Sequence, residues 1–522
     1  MKERVIFVNF LFLVLLIFII WRLFNLQIIN GEMYQALSEG LRANFADKFI
    51  ERGKIFFRGG EELATNITSF FVLVNPKQVK ENKEAVEKLS EILNLEKNYI
   101  LENLEKNSSF FVLKKKLNEE EVTKLRSLPI KGVFIGEEKI RYYPHEKLAA
   151  QVVGFVNEEG EGQYGIEQYY NDILKEGKDI TLTLDYRLQF KAEKLLEEAK
   201  EKLAIEGGQI IVMNPKNGEI LALANFPTFD PNKYWEEENL EIFKNGATQK
   251  TFEPGSIFKI ITMAAALEEK RITPETTYID EGFVKIGGWT IRNFENRVWG
   301  KKNMTEVLMW SINTGAVFAE KQLGHELFLK YLTNFGIFEK TGIDLPEICS
   351  ENKEFKKGYE INFATASFGQ GIEVTPIQVM KALSAVANGG MLVKPHLLLE
   401  EGKAFEEKRV ISKDTSFVLS QMCQRVVEEG YGRRAKIQGY FIAGKTGTSQ
   451  IPFSSLGIKK KGYSEKTWQS FVGWIPAFQP KFIFLVKLDN PRAQAAGAST
   501  TLIAKELIEY LISYYQIPPD YE

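Results

Sequence analysis

The stretch Glu253-Pro254-Gly255-Ser256-Ile257-Phe258-Lys259, with the run that follows it to Lys270, constrains the fold more than any other part of the chain. Pro254 and Gly255 break whatever precedes them, while Ile260 to Leu267 contains neither Pro nor Gly and is apolar on nearly every face. Such a run reads as a buried helix. Ser256 then falls in its first turn. Positions i and i+3 of a helix lie one above the other, so Lys259 brings its amine beside the Ser256 hydroxyl. Hydrocarbon around a lysine disfavours the ammonium form, and a neutral amine within reach of a hydroxyl is what a serine nucleophile needs for activation. Taken alone, Ser-x-x-Lys is more simply an N-cap followed by a lysine that snorkels to solvent. Partners elsewhere in the chain decide between the two.

Two downstream stretches offer such partners. Met309-Trp310-Ser311-Ile312-Asn313-Thr314-Gly315 interrupts two helical patterns. In a loop, the Ser311-x-Asn313 spacing can aim a proton-relaying hydroxyl and an orienting amide into one cleft, although a cap or turn is the plainer reading. Gly439 to Ser449 reads as an apolar strand ending in Lys445-Thr446-Gly447-Thr448. There Gly447 permits close backbone approach of a ligand, Lys445 supplies positive charge, and Thr446 and Thr448 supply hydroxyls for a carboxylate. A strand running into a polar turn is the bland alternative.

At 522 residues the chain exceeds one core and calls for two or three units. A net charge of −2 gives no global basic surface for nucleic acid, and 44% apolar residues exclude wholesale disorder. Val5 to Trp21 is free of charge and bounded by Arg4 and Arg22. As a helix it rises about 25 Å, and Leu23 to Ile29 can extend it to bilayer length. No small-residue cleavage site follows it, so an uncleaved anchor is expected, with Lys2 and Arg4 on the cytoplasmic side. Only Cys349 and Cys423 are present, which leaves their pairing open. His145, His325 and His396 sit in no metal-ligand spacing, and no Gly-rich loop precedes a helix in the P-loop manner. No metal or cofactor is expected.

Along the chain, residues 31–45 suggest a juxtamembrane helix. Arg52 to Ala64, with Gly59-Gly60 between short apolar runs, suggests a hairpin. Ser69 to Pro76 and Phe110 to Leu113 read as strands, and two amphipathic helical stretches fill the rest of residues 77–126. This region shows no catalytic constellation and reads as a structural α+β unit. A Gly-rich junction at Gly154 to Glu167 leads to a strand at Asp179 to Leu184 and a helix from Asp185 to about Ala204, striped by Leu188, Ala192, Leu195, Leu196 and Ala199. Gly208 to Ala224 reads as strand, turn, strand. Ser470 to Pro476 and Lys481 to Asp489 read as an antiparallel pair, and a helix over about Thr501 to Tyr514 would cover the sheet.

Taken in order, Ser256-x-x-Lys259, Ser311-x-Asn313 and Lys445-Thr446-Gly447 resemble the three motifs of penicillin-binding proteins and serine β-lactamases. The likeness extends through Arg52-Gly53-x-Ile55, Tyr164-Gly165-Ile166-Glu167, Asn214-Pro215 to Ala222 and Ser367-Phe368-Gly369-Gln370-Gly371. These stretches are similar to class B penicillin-binding proteins, nearer the division branch than the elongation branch. Departures fall at Phe57 and Gly59, where Asp and Asn are usual, and at Pro346-Glu347-Ile348, where Pro-Gly-Glu is common. The resemblance implies an α/β (mixed) transpeptidase domain over residues 176–522, with an antiparallel sheet flanked by helices. Before it would stand an α+β pedestal over 25–175, one transmembrane helix over 5–24 and a cytoplasmic leader over 1–4.

It further implies that Ser256 attacks the D-Ala-D-Ala carbonyl of a peptidoglycan stem peptide while Lys259 takes its proton. Ser311, held by Asn313 and Lys445, would pass a proton to the departing D-Ala. The backbone N–H groups of Ser256 and Thr448 would form an oxyanion hole; Lys445, Thr446 and Thr448 would hold the terminal carboxylate, with Gly447 giving it room. A neighbouring stem's amine resolves the acyl-enzyme, and β-lactam antibiotics stall it. Expected surroundings are the bacterial cytoplasmic membrane, a single pass with the catalytic domain outside, and partners among division proteins including a SEDS-type glycan polymerase. Competing readings are a D,D-carboxypeptidase, a β-lactamase, an elongation-type transpeptidase and, from another class, a penicillin-recognising receptor or idle division scaffold. The absence of a Glu-x-x-x-Asn loop between the second and third motifs argues against a class A β-lactamase.

Overall fold

The computed structural model describes residues 2–29, 51–80, 82–106, 110–128, 130–400 and 407–521. The juxtamembrane helix expected over residues 31–45 lies outside them. Helix α1, Lys2–Phe24, is continued by a π-helical turn at Asn25–Ile29. Its apolar side chains face outward, Phe12 and Trp21 being 65% and 61% exposed. Among the described residues no helix is long and apolar enough to cross a membrane.

The chain folds into two units that are not consecutive in sequence: residues 54–64, 143–174 and 179–522 form the larger, the remainder the smaller. In the smaller, the strand Glu62–Val74 continues from the larger unit and pairs antiparallel with Phe111–Leu117 on one side and Val133–Tyr142 on the other. Leu89, Leu93, Ile100, Leu104, Val122 and Leu125 pack with Val72, Val74 and Leu113 into one core. Three helices supply those residues and a fourth, Pro76–Lys80, adds Val79, where two were expected, because breaks near Asn82 and Leu95 divide the first amphipathic stretch. The last of the four begins with a capping box, Asn118 and Glu121 each satisfying the other's backbone N–H.

In the larger unit, Ile55–Phe56 forms the expected hairpin with Glu62–Ala64 and also pairs in parallel with Ile180–Thr181. The strand expected over Asp179–Leu184 is only two residues long; beyond it Leu182 forms an isolated bridge with Leu398 and the Thr183 N–H donates to the Leu397 carbonyl, and the Asp185 carboxylate then caps helix α2, Tyr186–Leu203. A five-stranded antiparallel sheet forms the centre. Its strands are β1 (Gly207–Met213), β2 (Ile220–Phe226), β3 (Ala443–Pro452), β4 (Tyr463–Ile475) and β5 (Phe482–Asp489), in spatial order β3-β4-β5-β1-β2.

Every residue of β1 is buried, which explains the apolar run Ile210 to Met213: the sheet is covered on both faces. Ile210, Val212, Phe471, Phe484 and Val486 point to one face, against the Leu188 to Ala199 stripe of α2 and against Ile503, Leu507 and Leu511 of the final helix, Thr500–Tyr514. Ile211, Leu223, Val472 and Leu485 point to the other, into the core that holds the helix predicted at the outset. Of the departures from the family pattern, Gly59 is exposed, while Phe57 and Glu347 are packed into the fold. Phe57 is fully buried, edge-on to Tyr186, and the Glu347 carboxylate accepts from the N–H groups of Thr341 and Gly342 at 2.9 and 2.8 Å, closing its loop.

Candidate active site

Ser256 lies in a tight 3-10 turn, Gly255–Phe258, that leads into helix α3, Lys259–Glu268. Backbone packing fixes this turn from two sides. Gly255 has φ +58°, and a Cβ on Gly369 would fall 2.2 Å from the Gly255 carbonyl oxygen, so the Ser367 to Gly371 loop closes on the turn only through glycine. The Gly255 N–H donates to the Gly369 carbonyl at 2.9 Å. From the other side, a Cβ on Gly447 would meet Ser470 Oγ at 2.5 Å and the Pro254 carbonyl at 2.9 Å. The close approach at Gly447 is therefore made by the protein's own turn that carries Ser256.

Lys259 is fully buried and its Nζ touches four acceptors: Ser256 Oγ at 2.9 Å, the Ser311 carbonyl at 2.7 Å, Ser311 Oγ at 3.3 Å and Asn313 Oδ1 at 2.8 Å. The amide of Asn313 is oriented, because its Nδ2 donates to the Arg292 carbonyl at 3.0 Å. A neutral amine has two N–H donors and one lone pair. The Ser311 carbonyl and Asn313 Oδ1 can only accept, so together they take both N–H bonds and leave the lone pair to the Ser256 hydroxyl. Burial pushes the Lys259 ammonium well below its ordinary range, and the nearby Lys445 charge adds to the shift. The Phe368 ring, 6.0 Å from Nζ, forms part of the apolar wall.

Ser311 sits between helix α4, Met304–Met309, and helix α5, Asn313–Leu323, with φ +55°. That left-handed residue between two helical ends turns both its carbonyl and its hydroxyl toward lysines. Lys445, on β3, is fully buried and donates to Ser311 Oγ and to the Thr446 carbonyl, each at 2.9 Å. Burial lowers its pKa to about 7, opposed by Cys423 on the neighbouring helix Lys413–Glu428. Thr446 is buried beside it, and Thr448 Oγ1 accepts the Ala496 N–H at 3.1 Å, leaving its own proton free to donate. The structure thus brings Ser256, Lys259, Ser311, Asn313 and Lys445 into one hydrogen-bonded cluster and sets Thr446, Gly447 and Thr448 along the adjoining strand.

Sequence reading gave Glu253 and Cys423 no part in the site. Glu253 is buried, its carboxyl pushed up to about 7 by desolvation, with the Tyr463 hydroxyl donating to it at 3.0 Å. Its carbonyl accepts from Ser449 Oγ at 2.6 Å, tying the residue before Pro254 to β3. Cys423 is a free thiol, as is Cys349, and burial pushes the Cys423 thiol up to about 12.

Residues 208–509 match the penicillin binding protein transpeptidase domain, and residues 49–189 the penicillin-binding protein dimerisation domain. Stage V sporulation protein D of Bacillus subtilis is 32% identical over 94% of this chain and 82% of its own length. Peptidoglycan D,D-transpeptidase FtsI of Buchnera aphidicola is 28% identical over 99% of this chain and 97% of its own. Among solved structures, penicillin binding protein 3 of Mycobacterium tuberculosis in complex with aztreonam superposes with a TM-score of 0.71 at 24% identity. That match covers 90% of this chain and 97% of the other, and it establishes likeness of fold.

Proposed function

The chain belongs to the class B penicillin-binding proteins, in their division branch, and on that premise we infer that it is a serine-type peptidoglycan D,D-transpeptidase of septal wall synthesis, acylated by β-lactams. One observation carries this reading: a fully buried lysine Nζ stands 2.9 Å from Ser256 Oγ, 2.7 Å from the Ser311 carbonyl and 2.8 Å from Asn313 Oδ1. That geometry supports Lys259 as the general base. Ser256 Oγ attacks the carbonyl carbon of the penultimate D-Ala, and its proton passes to Lys259 Nζ. The negative oxygen of the tetrahedral intermediate is held by the N–H groups of Ser256 and Thr448. A Cβ at Gly255 would lie 3.0 Å from the Thr448 carbonyl, so strand and turn are close enough to share one oxygen.

As the C–N bond breaks, Ser311 Oγ delivers a proton to the leaving D-Ala amine and is resupplied from Lys259 or Lys445, both of which it contacts. The Lys445 charge and the hydroxyls of Thr446 and Thr448 hold the terminal carboxylate. An amine of a second stem then attacks the ester carbonyl, releases Ser256 and leaves a cross-link. A penicillin bearing a label tests the chemistry: it should mark wild-type protein and not Ser256→Ala. Absence of label on wild type, or undiminished label on the variant, overturns the serine mechanism. Offered both an acceptor amine and water, the acyl-enzyme should transfer to the amine; hydrolysis alone would make it a carboxypeptidase.

Residues 5–24 are assigned as an uncleaved anchor and 25–175 as a pedestal, with the catalytic domain of 176–522 outside the cytoplasmic membrane. The exposed apolar side chains of α1 support the anchor. A SEDS-type glycan polymerase is the partner that this arrangement suits. Full-length protein should stay with membranes through a carbonate wash, and its release would overturn the anchor.

A further inference from the structure

Helix α5 has an unusual start. Its N-cap, Ile312, has no side chain that can bond the first backbone N–H groups, yet the residues that open the helix are the ones that place Asn313. The missing cap comes from a residue twenty positions earlier: Asn293 Oδ1 accepts from the N–H groups of Asn313 at 3.0 Å and Thr314 at 3.2 Å. Asn293 follows the strand Trp289–Arg292, and its neighbour Arg292 supplies the carbonyl that orients the Asn313 amide.

Asn293 is itself held. Its Nδ2 donates to both carboxylate oxygens of Asp280, at 3.0 and 2.9 Å. Asp280 is 2% exposed and forms no ion pair among the described residues; its charge is met by neutral donors alone. Besides Asn293 these are the Gly282 N–H at 3.1 Å, the Trp299 N–H at 2.8 Å and Thr314 Oγ1 at 2.5 Å. Two of them bracket Ser311. Thr314 lies three residues after it, and the Trp299 ring stacks on that of Trp310, directly before it, at 5.6 Å between centroids. One buried carboxylate thus ties down both flanks of the left-handed turn at Ser311.

We propose that Asp280 and Asn293 are positioning residues for acylation: they act through Ser311 and Asn313 to hold the two acceptors that take the Lys259 N–H bonds, and so keep its lone pair on Ser256 Oγ. This rests on the proposed role of Lys259 and adds the device that sets it. Neither residue touches the amine. A shift of the α5 start by about 1 Å would turn the Asn313 amide away and cost about a hundredfold in rate.

The test separates the acylation rate constant of a labelled penicillin from its prior binding constant by stopped flow. Asn293→Ala should lower the rate constant about a hundredfold while the binding constant changes less than about threefold and the labelled fraction at long times stays complete. Asn293→Asp keeps the cap oxygen and the volume but sets a second carboxylate against Asp280, and it should slow acylation at least as much. Adding Asp280→Asn returns a donor to face the new acid and should recover about tenfold or more of that loss.

A wild-type rate in Asn293→Ala overturns the proposal, as does a loss confined to binding or to the labelled fraction, which would mark a merely structural part. Failure of the second substitution to rescue removes Asp280 from it. Wild-type protein that takes no label would instead defeat the serine mechanism, so the two failures are distinguishable.

Discussion

Lys259 and Lys445 in the cleft, and Lys487 on β5 of the central sheet, are three buried lysine amines treated in opposite ways. Lys487 is paired with Asp489, donates to Gln209 Oε1 at 3.0 Å and lies 5.2 Å from the ring centre of Phe252 and 6.0 Å from that of Trp468. Among the described residues the cleft lysines form no ion pair and meet only hydroxyls, carbonyls and an amide. A buried cation needs a counter-charge if it is to keep its proton. Lys487 has one in Asp489, whereas the cleft lysines lack one and hold their protons loosely. Lys445 additionally repels the charged form of Lys259. Withholding a carboxylate turns a structural lysine into one able to take and return a proton.

The largest effect that could break this contrast is at Lys259. Arginine there stays protonated at any working pH, so Lys259→Arg should slow penicillin acylation about 10³-fold or more. A variant that acylates at the normal rate would show that no neutral amine is needed. At Lys445 the expected loss is smaller, about 10²-fold for Lys445→Met, because the charge assists rather than removes the Ser256 proton.

Stability should move the other way at Lys445. Its native pKa near 7 lies below the unfolded value of about 10.4, so between these the unfolded chain binds more protons and wild-type stability rises with pH. Lys445→Met removes that dependence. It should therefore melt several degrees above wild type at pH 6 to 7, with the gap closing toward pH 10, in thermal scans across that range. An equal gap at every pH would mean that Lys445 is buried with its charge satisfied.

Much of the contrast was legible in the chain. The apolar frame around Lys259 and the turn at Ser311 announce themselves by local pattern, because burial of a helix leaves a periodic mark, whereas the strand expected to end in Lys445-Thr446-Gly447-Thr448 begins only at Ala443 and runs on to Pro452. The central sheet was readable for the same reason, but β4 begins at Tyr463, seven residues before the expected start at Ser470. Tyr463 to Gln469 is polar and partly exposed, and a strand edge without apolar alternation reads as loop.

What left no mark was contact at long range. The parallel pairing of Ile55–Phe56 with Ile180–Thr181 joins residues 125 apart, and no short window contains both. Asp280 and Asn293 sit in weakly patterned hairpins and gain meaning only when folding brings them to Thr314 and Asn313. Lys487 is the one lysine of an apolar strand, and the partners that bury it come from β1, from Trp468 and from the segment before Ser256.

The smallest expected effect concerns that lysine and tests whether the two classes are independent. Lys487→Met removes the cation and leaves Asp489 with 24% of its side chain exposed, so the cost should fall at the low end of a broken buried pair, about 3 kcal/mol by urea unfolding. Acylation of the folded fraction should stay within about twofold of wild type, because β4 stands between Lys487 and the cleft strand. Joining Lys487→Met with Asp489→Asn should restore most of the stability, since the orphaned carboxylate is the main penalty. Acylation as slow in Lys487→Met as in Lys445→Met would erase the distinction: the Lys487 charge would then be felt by Ser256 through the sheet, and the cleft lysines could not be understood from their own contacts alone.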